Sequence, residues 1–108
     1  MDASFKVTNH RSRSRCCEVI ELSGELDFTT APHLGAVLDG MMVIPKHMIV
    51  DMSQLTFIDS TGLHEFLEAR SRAQDNGHRL LMSGASPAAR RLFELTGTRF
   101  LLDEQGVE

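Results

Sequence analysis

Leu55-Thr56-Phe57-Ile58-Asp59-Ser60-Thr61-Gly62-Leu63 begins as the tail of an apolar strand and becomes the first turn of a helix. At the joint stands a compact polar group, Asp59, Ser60 and Thr61, followed by Gly62. Hydroxyls beside a helix N-terminus can cap the helix, attack a substrate or be modified themselves. The residues of this stretch leave all three roles open. As a cap, Ser60 would contribute about 1 kcal/mol.

Upstream, His47-Met48-Ile49-Val50-Asp51-Met52 is a run of strand length, mostly apolar on both faces. A strand buried between two layers reads this way. Downstream, Leu63, Phe66, Leu67 and Ala73 share one face of a helix over about 60–76, and Asn76-Gly77 stops it. Arg79 to Ser83 is another buried strand, closed by Gly84. Ser86-Pro87 opens a third helix, with Leu92, Phe93 and Leu95 as its buried side and Thr96-Gly97 as its end. Phe100-Leu101-Leu102 reads as a last short strand, and the acidic residues 103–108 fray.

Toward the N-terminus, Phe5-Lys6-Val7 and Cys17 to Leu22 form the two arms of a hairpin with a long charged tip. Ser23-Gly24-Glu25-Leu26-Asp27 ends the second arm with a turn. Asp27, Thr29 and Thr30 are all suitable helix caps, and Pro32 suits a first helical turn. Leu34, Val37, Leu38 and Met41 then recur at helical spacing, giving a helix from about 30 to 42 that Pro45 and Lys46 break. A hairpin followed by alternating helices and strands implies parallel neighbours joined by right-handed crossovers. The expected class is α/β: a mixed sheet, with the early hairpin at one side and helices mainly on one face. One domain spans residues 1–108, with its core from about 5 to 103.

Composition excludes several functions. Hydrophobic residues make up 42% and charged residues 24%, an ordinary globular balance. No apolar run is long enough to cross a bilayer and no export signal is visible, so a cytoplasmic protein is expected, with no membrane insertion. Cys16 and Cys17 are adjacent, cannot staple distant elements and lack a second ligand group at metal spacing. The one basic cluster, Arg11-Ser12-Arg13-Ser14-Arg15, has no interleaved aromatics in a chain of net charge -4, so no nucleic acid is expected as a partner.

Catalysis lacks a signature. His64 lies one turn beyond Ser60 and could serve as its base, but the surrounding residues are not the glycine-serine-glycine elbow of hydrolases. The chain has no phosphate-cradling GxxxxGK[ST] run. His47, Asp51, Asp59 and His64 could gather near the C-terminal end of the central strand, but they lack a metal-ligand spacing. No cofactor, no metal and no catalytic residue is expected. A phosphate on Ser60 would be tolerated at the positive end of the helix and would add about two negative charges beside Asp59.

Read together, Ser23-Gly24-Glu25-Leu26-Asp27, Ile49-Val50-Asp51-Met52, Phe57 to Leu63 and Ser86 to Gly97 resemble the STAS domain, and more narrowly the bacterial anti-sigma factor antagonists. The resemblance runs from about residue 5 to 103 with every motif in order. It implies a non-catalytic module that binds an anti-sigma factor, itself a serine kinase, and so frees a sigma factor for transcription. The kinase, with ATP and magnesium, would phosphorylate Ser60 and weaken the complex; a metal-dependent serine phosphatase would reverse this. By position, Asp27, Asp59, Ser60, Thr61 and Gly62 would form the partner-binding surface, with Thr61 a minor acceptor. Two alternatives stand beside this: a STAS-type accessory subunit of a lipid transport or signalling complex that docks without phosphorylation, and, from the residues alone, a small serine hydrolase. Longer relatives carry another helix after the last strand, and its lack here would expose a sheet edge and permit a weak homodimer. The Arg11 to Arg15 loop is longer than the resemblance implies.

Overall fold

The computed structural model describes residues 5–11, 17–41 and 47–102. Strand β1 (Lys6–Arg11) pairs antiparallel with β2 (Glu18–Leu26), which lies parallel to β3 (His47–Ile58), itself parallel to β4 (Arg79–Ser83). The sheet order is β1-β2-β3-β4. Helices α1 (Ala31–Gly40), α2 (Ser60–Asp75) and α3 (Pro87–Leu95) form the crossovers and the final helix. This is the expected α/β class with a mixed sheet.

Alternation along the strands sorts the core. Ile20, Leu22 and Leu26 of β2, Met48, Val50 and Met52 of β3, and Leu80 and Met82 of β4 join one buried cluster. Leu34 and Leu38 of α1, Leu63, Phe66, Ala69 and Ala73 of α2, and Ala89 and Phe93 of α3 close over it. The helices therefore cover one face. On the other face, Cys17, Val19 and Ile49 form a separate small cluster.

One ion pair ties α1 to α2, and a second, within α2, steadies the same arginine. Arg72 Nε donates to Asp39 Oδ1 at 2.9 Å, while its Nη2 lies 3.5 Å from Glu65 Oε2. Glu65 fits there because Gly35 has no side chain: a Cβ on Gly35 would collide with the Glu65 carboxylate.

Three expectations need correction. Ser23 to Leu26 is not a turn, because β2 runs on to Leu26. Gly24, with φ of 92°, lies where the register shifts, so the glycine produces an irregularity within the strand, not its end. β3 is one strand of 12 residues that runs through Ile58, so Leu55 to Ile58 is the tail of a strand, as expected. Arg99–Leu101 is a 3-10 turn, and only Leu102 bridges to the sheet, opposite Met82. Leu95 is 74% exposed, and Ala89 supplies the buried position instead because it lies one turn before Phe93. The predicted ends at Asn76-Gly77 and Thr96-Gly97 coincide with the helix C-caps, with both glycines at positive φ. The hairpin tip at 12–16, the helix-breaking Pro45 and Lys46, and the acidic residues 103–108 lie outside the described residues.

Phe66 is fully buried at the centre of the core. Phe66→Ala is expected to lower the unfolding free energy by about 3–5 kcal/mol in a denaturant titration with unchanged slope. A loss under about 1 kcal/mol would contradict this packing.

Candidate functional site at the C-terminal ends of β2 and β3

The last pair between β2 and β3 is Leu26 with Ile58. Asp27 and Asp59 each follow directly, so two loops leave the sheet side by side. The Asp59 N–H donates to the Leu26 carbonyl at 3.3 Å, tying one loop to the other strand.

The helix cap is Asp59, not Ser60. Asp59 has an extended backbone (φ -116°, ψ -176°), and its Oδ1 accepts from the Gly62 N–H at 2.9 Å. One orphan amide of the first turn is thereby satisfied. Ser60 is the first residue inside α2, and both Ser60 and Thr61 are exposed. Among the described residues, no hydrogen bond engages the Ser60 hydroxyl. Helix α3 makes the opposite choice: Ser86 Oγ is its cap and accepts from Ala89 N–H at 3.1 Å. At α2 the carboxylate does that work and leaves the serine oxygen spare.

Gly62 is buried, and its Cα faces Leu26. A Cβ there would fall 2.7 Å from Leu26 Cγ and 2.8 Å from the Leu26 carbonyl oxygen. The glycine thus sets how closely the first turn of α2 approaches the end of β2, and so where Ser60 is presented.

Asp27 organises the neighbouring loop. Its Oδ1 accepts from the Thr29 hydroxyl at 2.7 Å, the Thr29 N–H at 3.0 Å and the Thr30 N–H at 3.3 Å. Thr30 precedes α1 in the cap position but makes no side-chain cap bond. Its hydroxyl instead donates to the Glu25 carbonyl at 2.8 Å and accepts from the Asp27 N–H at 2.9 Å. Donation from the Thr29 hydroxyl, ahead of the backbone amides, holds the Asp27 carboxyl below its usual 3.8.

The other residues singled out by sequence do not converge. His47 opens β3 and Asp59 follows its far end, so His47, Asp51, Asp59 and His64 do not gather at one end of the strand. His64 Nε2 lies 3.5 Å from Glu68 Oε2, one turn further along α2 and away from Ser60. Sequence reading missed Phe28, next to Asp27, whose ring is 71% exposed. An aromatic residue in a turn between two capping candidates was the available signal.

The family model of the STAS domain matches residues 9–105. The chain belongs to the STAS domain family. An anti-sigma-B factor antagonist of Staphylococcus epidermidis is 33% identical over 84 residues, spanning 77% of this chain and 78% of the relative. The anti-sigma factor antagonist SpoIIAA in its unphosphorylated form shares the fold, with a TM-score of 0.74 at 22% identity over 93% of this chain and 86% of that one. The phosphorylated form of SpoIIAA, from Bacillus, superposes with a TM-score of 0.67. A sulfate transporter family protein from Wolinella succinogenes is also similar, with a TM-score of 0.67 and 31% identity over 81% of this chain and 71% of that one.

The cap assignment separates two neighbouring substitutions. Asp59→Ala is expected to cost about 1 kcal/mol of stability, while Ser60→Ala stays within about 0.5 kcal/mol of the parent. Equal losses in thermal or denaturant unfolding would contradict the assignment. The lowered Asp27 pKa adds stability that is complete above the unfolded value of 3.8 and fades as pH falls through the folded value. Asp27→Asn should therefore be less stable than the parent at neutral pH and converge with it in acid; a gap that widens below pH 3.8 would contradict this.

Proposed function

We propose that the chain is a partner-switching anti-sigma factor antagonist controlled by phosphorylation of Ser60. Unmodified, it binds an anti-sigma factor that is also a serine kinase, and the sigma factor is released. The kinase uses ATP and magnesium to phosphorylate Ser60, the complex weakens, and a metal-dependent serine phosphatase restores the free hydroxyl. The setting is cytoplasmic. Among the described residues, no helix is long and apolar enough to cross a membrane.

The observation that carries this reading is the exposed Ser60 hydroxyl, released from capping by Asp59. A spare hydroxyl on a rigid helix start can enter another enzyme's active site without unfolding its own domain. In the docked state Ser60 faces the nucleotide that modifies it. The added phosphate, carrying about 1.5–2 negative charges, then meets like charge there and has Asp59 beside it. A cost of about 1.4 kcal/mol per tenfold makes such a clash enough to reverse occupancy. The names of the similar antagonists, and the two forms in which SpoIIAA has been solved, support the same cycle.

Asp27, Asp59 and Thr61 belong to the docking surface in this proposal, with Thr61 a minor acceptor. Gly62 contributes by positioning. Catalysis by the chain itself is not part of the proposal, because His64, the base weighed for Ser60, lies against Glu68. Self-association enters only as a weak homodimer. The β1 edge is mostly exposed and carries Lys6, Asn9, His10 and Arg11, which oppose strand-to-strand pairing. A second reading, an accessory subunit that docks without phosphorylation, is favoured by the likeness to the sulfate transporter family protein.

Incubation with the anti-sigma kinase of the source organism, ATP and magnesium is expected to add one phosphate, located to Ser60 by mass analysis and absent in Ser60→Ala. An unmodified Ser60 beside an active kinase would support the accessory reading. Ser60→Asp should keep the fold and bind the kinase about tenfold to a hundredfold more weakly. Full affinity would contradict the electrostatic step.

A further inference from the structure

We infer that Phe28 is the apolar anchor of the partner surface, and that it fits a pocket rimmed by lysine or arginine on the anti-sigma kinase. The inference rests on the proposed function and adds the chemistry of the partner's face.

The register places the residue. Phe28 and Ser60 each stand two positions beyond the last strand pair, Leu26 with Ile58. The backbone of the Phe28 loop is held by the bonds from Thr29 and Thr30 to Asp27, so the ring is presented from a fixed turn. It is 71% exposed. Across the strand pair, Phe57 stands opposite Glu25 and is 49% exposed. Two large aromatic rings thus lie open on the strand ends that carry the acceptor. An exposed aromatic ring on a hydrogen-bonded turn has the character of an interface hot spot, because docking buries a large apolar area.

Charge identifies the occupant. Glu25 stands opposite Phe57, Asp27 directly precedes Phe28 and Asp59 directly follows the last strand pair, so the charges placed beside the two aromatic residues by register and sequence are acidic. A second copy of this chain would bring the same acidic face and be repelled. A membrane of anionic lipid would be repelled too. A basic rim around an apolar pocket is complementary, and it speeds docking through attraction at long range.

The test measures binding of the purified anti-sigma kinase of the source organism to four full-length forms at two salt concentrations. Phe28→Ala is expected to weaken affinity by at least about tenfold, mainly through faster dissociation, with unfolding unchanged. Glu25→Gln should slow association and flatten its dependence on salt. Leu95→Ala is the control: this side chain is as exposed as Phe28 but sits at the far end of α3, and affinity should not change. Wild-type binding with Phe28→Ala unaffected would overturn this inference and leave the phosphorylation switch standing. An equal loss in Leu95→Ala would also overturn it, since the anchor would not be local. Absence of wild-type binding and of Ser60 phosphorylation would overturn the switch itself, and this inference with it.

Discussion

Helix α2 begins against the end of β2, and most of what the site can do follows from that contact. Gly62 allows the first turn to rest on Leu26, and the Asp59 N–H reaches the Leu26 carbonyl. Any side chain at position 62 would push the turn away from the strand. With the turn in place, the Asp59 carboxylate can fold back onto the Gly62 amide. Capping, close approach and presentation of Ser60 are therefore one arrangement of four consecutive residues, held to a neighbouring strand.

The division of labour between Asp59 and Ser60 has a functional consequence. A serine that caps its own helix has its oxygen committed to a backbone amide, as Ser86 does at α3. Modifying it would remove that bond and strain the helix start. Ser60 carries no such duty, so the cost of a phosphate there falls on the encounter with a partner. The neighbouring loop is built on the same plan. Asp27 spends its carboxylate on Thr29 and Thr30, which stiffens the turn and holds Phe28 out. Two aspartates thus work as local fasteners, and the residues just after them are left exposed.

Much of this was legible in the sequence. Helical spacing of Leu63, Phe66 and Ala73, the strand run at 47–52 and the glycine stops gave the elements and their order. The polar joint at 59–62 marked the site. What could not be read depends on contacts distant in sequence. Whether Asp59 or Ser60 caps α2 depends on backbone angles at the joint, and both residue types are good caps. Gly24 looked like a strand end because glycine serves equally well as a stop and as an irregularity; pairing of β2 with β3 decides between them. Leu95 fits the spacing of a buried residue, yet the helix is turned so that Ala89 and Phe93 meet the core. Periodicity fixes a helix's stripe only when the neighbouring layer selects which stripe is used.

The central claim is that phosphorylation of Ser60 alters a surface and leaves the fold intact. Backbone amide spectra of uniformly 15N-labelled protein, recorded before and after stoichiometric phosphorylation of Ser60, test it directly. The account predicts shifts confined to residues 59–63 and to the adjoining loop at 27–30, with core amides such as those of Val50, Phe66 and Met82 unmoved. Shifts spread through the sheet and along α2, or collapse of the dispersed spectrum, would contradict it.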